Sequence, residues 1–72
     1  MEQLDLDKLR KARNSKGLSL KMAAKMIGKD AATICRYEIG QTAMTVNTLF
    51  RILQLYGISI NDIVMVAGKA SI

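Results

Sequence analysis

Few side chains in this 72-residue chain carry chemistry, and most of those are cationic. Eleven Lys/Arg stand against six Asp/Glu, with one cysteine and no histidine. Nine of the cations and five of the acids fall in residues 1–40, against two and one beyond, so the basic surface belongs to the first half. Arg36 brings a planar fork of donors able to grip two acceptors at once, and Lys21 and Lys25 are four apart, as on one side of a helix. That chemistry is anion and hydrogen-bond recognition. A clustered positive face suits a polyanion, nucleic acid being the commonest; the bland alternative is a solvated face that aids solubility.

Catalysis and metal binding have little to work with. Asp5 and Asp7, two apart at a helix start, diverge. There is no glycine loop to cradle phosphate and no histidine, and one thiol cannot make a zinc site. The chain is expected not to be an enzyme and to need no cofactor, metal or small-molecule ligand. Cys35 admits no disulfide within the chain, and a reduced thiol fits the cytoplasm. The acidic start MEQLDLDKLR is no signal peptide, and no apolar run is long enough for a membrane span.

The positioning elements are helices. Residues 6–16 make the first, with Leu6, Leu9 and Ala12 inward, Asp5 as cap and Gly17 as stop. Ser19 caps a second over 20–27, in which Leu20, Ala23, Ala24 and Ile27 share one side. Gly28 stops it, Asp30 caps a third over 31–39, and Gly40 ends that one. In the third, Ile34 and Tyr37 face inward while Ala31, Ala32, Cys35 and Arg36 form a second face. Two helices joined by a short glycine turn make the helix-turn-helix unit used to read DNA. Thr45 caps a fourth helix with Val46, Leu49, Phe50, Leu53 and Tyr56 as its apolar stripe, Met44 and Leu49 forming a hydrophobic staple and Gly57 the end. Ser59-Ile60-Asn61-Asp62 is a near capping box for a fifth helix, bracketed by Ile58 and Ile63 and continuing through Val64, Val66 and Ala67 to Gly68. The expectation is one all-α domain over 1–72, core about 6–67, with no sheet and a loose tail 68–72. A core of this size yields roughly 3–5 kcal/mol, so a partner subunit is the device left to strengthen it.

The runs LRKARNSKGLS, AAKMIGKDAATICRYEIG and TLFRILQLYGISINDIV resemble the Cro and phage-repressor-like helix-turn-helix family, also called XRE, over about residues 6–66. The resemblance rests on Gly17-Leu18-Ser19, Ala24, Gly28, Thr33-Ile34, Tyr37-Glu38, Gly40 and Leu55-Tyr56-Gly57-Ile58-Ser59. It implies a compact five-helix lambda-repressor-like fold in which the third helix lies in the major groove. Ala31, Ala32, Thr33, Cys35 and Arg36 would then face base edges, with Ser19, Lys21, Lys25, Lys29, Gln41 and Thr42 as candidates for phosphate. Ala24, Gly28, Ile34 and Tyr37 would be the motif's core, and Arg13 would pair with Glu38, the alternative for Arg13 being a phosphate contact or a solvated charge. A prokaryotic or phage-encoded cytoplasmic protein is implied as well.

Several positions depart from the family's pattern. Leu20 stands where glutamine is usual, Lys29 where an apolar residue is usual, and Met44 near the place of a loop proline. Of the base-facing set only Arg36 can make the bidentate contact to guanine, worth about 1–3 kcal/mol of discrimination. Sequence preference would then lean on DNA shape, and affinity on phosphates. Asp30 reads as a helix cap or as a charge close to phosphate. Cys35 reads as a small residue on a helix face that meets DNA, or as a redox-sensitive thiol. The function expected is a stand-alone repressor or Cro-like switch protein that binds a near-palindromic operator as a homodimer, joined through helices four and five with Ile60, Ile63, Val64 and the tail. The other reading is a protein-interaction module of antitoxin or anti-regulator type, since two alanines and Leu20 smooth the helix face.

Overall fold

Every helix but the last starts at a side chain whose oxygen accepts an amide hydrogen of the first turn, so the boundaries follow from local chemistry. The computed structural model describes residues 2–66. Strand β1 is Glu2–Leu4, followed by helices α1 Leu6–Ser15, α2 Leu20–Ile27, α3 Ala31–Glu38, α4 Val46–Tyr56 and α5 Ile60–Ile63, and by strand β2 Val64–Val66. The caps are Asp5 for α1, Ser19 for α2, Asp30 for α3 and Thr45 for α4, each accepting from the amide three residues on. At α5 the Asp62 carboxylate accepts from the Ser59 amide and hydroxyl. Gly28 closes α2 with φ +74, a left-handed turn that a residue with a Cβ enters only at a cost.

The fold is helical, as expected, with its helices packed around one core and a single two-stranded sheet added. Leu9 of α1, Ala23, Ala24 and Ile27 of α2, Ile34 and Tyr37 of α3, Ile52, Leu53 and Tyr56 of α4, and Ile63 of α5 are buried together. Leu6, Ala12, Leu20, Met44, Leu49 and Ile58 pack against this cluster from half-buried positions.

Three details of the sequence reading are corrected. First, a sheet is present: β1 and β2 pair antiparallel with Glu2 opposite Val66, Gln3 opposite Met65 and Leu4 opposite Val64. The Asp5 amide extends the link by donating to the Ile63 carbonyl. Second, α5 is a single turn that stops at Ile63, because Val64 leaves it in an extended conformation (φ −78, ψ 127). Two β-branched valines flanking Met65 favour a strand once the N-terminal segment offers one to pair with. Third, the inner stripe of α4 is rotated. Val46 and Phe50 are 65% and 55% exposed, whereas Ile52, absent from the expected stripe, is fully buried. With 100° per residue, the core-facing line through Leu49, Ile52, Leu53 and Tyr56 leaves Val46 and Phe50 on its flank. The expected continuation of α5 to Gly68 and the loose tail 68–72 extend beyond the described residues.

Candidate nucleic-acid interface

The α2–turn–α3 unit is held from inside and from one end. Inside, Ala24 is 2% exposed at the contact of the two helices, and Ile34 and Tyr37 fix α3 on the core. At Ala24 there is no room for a larger side chain without separating the helices. At the end, the Arg13 guanidinium grips Glu38 through Nε to Oε2 at 2.6 Å and Nη2 to Oε1 at 3.1 Å. Its Nη1 donates to the carbonyl of Leu18 at 2.7 Å. Three of its donors are therefore satisfied in a nearly solvent-free site, with side-chain exposures of 9% and 6% for the pair. Glu38 beside it holds the Arg13 pKa above its ordinary value, by hydrogen bonding first and charge second. One side chain of α1 thus ties the residue before the α2 cap to the last turn of α3. The contact to Leu18 is one that sequence reasoning missed, because a carbonyl acceptor has no residue signature.

On the outer face of α3, Ala32 and Arg36 are exposed, while Ala31, Thr33 and Cys35 are half-buried. Arg36 makes no ion pair among the described residues, so its fork is available. Thr33 is partly committed: its amide and its hydroxyl both donate to Asp30 Oδ1, at 2.8 and 2.6 Å. Those hydrogen bonds hold the Asp30 carboxyl below the usual range. Asp30 therefore serves as the α3 cap.

Ser19, Lys21, Lys25, Lys29, Gln41 and Thr42 are all exposed. Ser19 Oγ accepts from the Met22 amide at 3.0 Å, which leaves its proton free to donate to an anion. Gln41 and Thr42 follow α3 after Ile39 and Gly40, and both of their amides turn back onto the Arg36 carbonyl. The loop they begin covers a hollow of about 270 Å³ lined by Leu4, Leu6, Tyr37, Met44 and Leu49, among others. Cations at the start of the motif and polar groups just past it thus flank a helix face of small residues and one arginine. Such a layout can meet a polyanion.

A model of the family described as Helix-turn-helix (HTH_3) matches residues 9–63. The chain belongs to the helix-turn-helix family. As a member of it, this helix-turn-helix protein is a DNA-binding regulator of transcription, and the family is a regulatory rather than an enzymatic one. The match takes in Arg13, Glu38 and all of α2, α3 and α4, and ends with Ile63, leaving β1 and β2 outside it. No curated protein and no solved structure matches the chain at a significant level. No helix among the described residues is long and apolar enough to cross a membrane.

Proposed function

We propose that this regulator is a stand-alone repressor or Cro-like switch protein that holds a near-palindromic operator as a homodimer. The observation that carries the reading is the outer face of α3, where Arg36 stands free and exposed among Ala31, Ala32, Thr33 and Cys35. Arg36 reads one guanine through its O6 and N7, and the alanines accommodate thymine methyls. Ser19, Lys21, Lys25, Lys29, Gln41 and Thr42 supply the phosphate contacts, so most of the affinity is electrostatic. Two copies set their α3 helices in successive major grooves, about 34 Å apart. Ile63 belongs to the core and is withdrawn from the expected dimer contact. The exposed Val46 and Phe50 on α4 take its place, and the half-buried Ile60 and Val64 stay in the expected contact.

A salt titration of duplex binding tests this. The reading predicts a linear fall of log affinity with log salt, amounting to orders of magnitude between about 50 and 200 mM. Weak duplex binding that ignores salt, beside tight salt-insensitive binding to a protein, would move the assignment to a protein-interaction module on the same fold.

A further inference from the structure

The reading surface leaves one groove unexplained. It lies between α2 and α4, encloses about 230 Å³, and is lined by Met26 and Ile27 on one side and Arg51, Gln54 and Leu55 on the other. No residue of α3, and none of the loop after it, contributes to the lining. Met26 is 58% exposed, and Met22, one turn earlier on the same flank of α2, is 51% exposed. Sugar and phosphate gain little from two thioethers, whereas apolar side chains of another protein gain from both, since methionine reshapes itself around what it meets.

Charge narrows the choice of partner. Arg51 is the cation in the groove's lining, no carboxylate is among the lining residues, and α2 and α4 carry none anywhere along their length. Arg51 makes no ion pair among the described residues. A second copy of the chain is a poor occupant, since its net charge is +5. Five of its six acidic side chains are also engaged already: Asp7 with Arg10 and Lys11, Glu38 with Arg13, and Asp5, Asp30 and Asp62 at helix starts. We propose that the groove docks an acidic amphipathic helix of a partner protein, its apolar side chains over Met22, Met26 and Leu55 and a carboxylate on the Arg51 guanidinium. Because neither α3 nor any of the phosphate-contacting residues lines the groove, the protein holds DNA and this partner through different side chains.

The test is an NMR titration of the isotope-labelled chain with a synthetic amphipathic helix bearing leucines on one face and glutamates on the other. Versions with glutamine or lysine in place of the glutamates serve as controls. Saturable shifts confined to α2 and α4 around Met22, Met26, Arg51 and Leu55 are expected with the glutamate helix and not with the lysine helix. Arg51→Glu should weaken the glutamate helix about tenfold or more at roughly 0.15 M salt, and should let the lysine helix bind. Duplex affinity of that variant should stay within about twofold, as Arg51 is no phosphate contact in the operator reading. The proposal is overturned by an absence of saturable shifts, by shifts on α3, or by Arg51→Glu leaving the peptide affinity unchanged.

Discussion

Arg13 of α1 and Glu38 of α3 form a bidentate ion pair that is nearly closed to solvent, and the same guanidinium holds the Leu18 carbonyl ahead of α2. The pair therefore sets the position of α3 as well as contributing to stability. Removing one partner strands the other charge, so Arg13→Ala should cost about 2–4 kcal/mol in a urea melt. Replacing both with apolar residues of similar volume should recover much of that loss. A loss under about half a kcal/mol for Arg13→Ala, the size of an exposed pair, would contradict the assignment.

Tyr56 presents a different kind of buried polar group. Its hydroxyl is fully enclosed and has no hydrogen-bond partner among the described residues. Burial, helped by the nearby Glu38 charge, pushes its pKa from 10.0 up to about 12. The unfolded chain then gives up this proton before the folded one does. Its contribution is complete below pH 10 and is lost as pH rises through about 12. Tyr56→Phe should remove that alkaline loss and leave neutral stability the same or higher by about 1 kcal/mol, because the orphaned hydroxyl disappears. Thermal melts from pH 7 to 12 on both proteins check this, and a large neutral-pH loss in the variant would contradict it.

Asp30 tests the cap of α3. Its pKa is depressed from 3.8 by the two hydrogen bonds from Thr33, so its stabilising effect is present above that value and fades as pH falls through the lower folded value. Asp30→Asn keeps an acceptor and should be nearly neutral at pH 7 while erasing the acid-side loss. Asp30→Ala should lower the melting temperature at pH 7, because the Thr33 amide loses its acceptor. Acid melts that fall equally in the wild type and in Asp30→Asn would remove the cap from the account.

Gly28 separates conformational strain from crowding. A Cβ built there meets nothing within 4 Å, but φ is +74. Gly28→Ala should therefore destabilise by about 1–2 kcal/mol, through backbone strain alone. Gly28→Asn should recover part of this, as asparagine tolerates the left-handed region better. Equal losses for the two variants would point to a clash instead.

The sequence was most legible where a side chain announces its own task. Asp5, Ser19, Asp30, Thr45 and the Ser59–Asp62 box mark helix starts because a short oxygen-bearing side chain precedes an apolar rhythm. The β1–β2 pair was hidden because its strands lie at opposite ends of the described chain, with no hairpin turn between them to signal the pairing. α4 is apolar at so many positions that Val46 and Phe50 fit an inward stripe as well as Ile52 does, and only packing against the other helices chooses between them. On the candidate interface, residue type and spacing were enough to expect Arg36 and the lysines on the surface, where they are exposed. They said nothing of the Leu18 carbonyl, whose role comes from backbone position, or of Thr33 spending its hydroxyl on Asp30.

The claim that α3 reads DNA chiefly through Arg36 is tested most directly by selecting bound duplexes from a random pool, with the Arg36→Ala variant in parallel. The account predicts a near-palindromic site for the native chain. It predicts that the variant recovers the same site with one guanine per half relaxed, at a cost of about 1–3 kcal/mol per contact. Recovery of no preferred sequence by the native chain, or of an unchanged site by the variant, would contradict it.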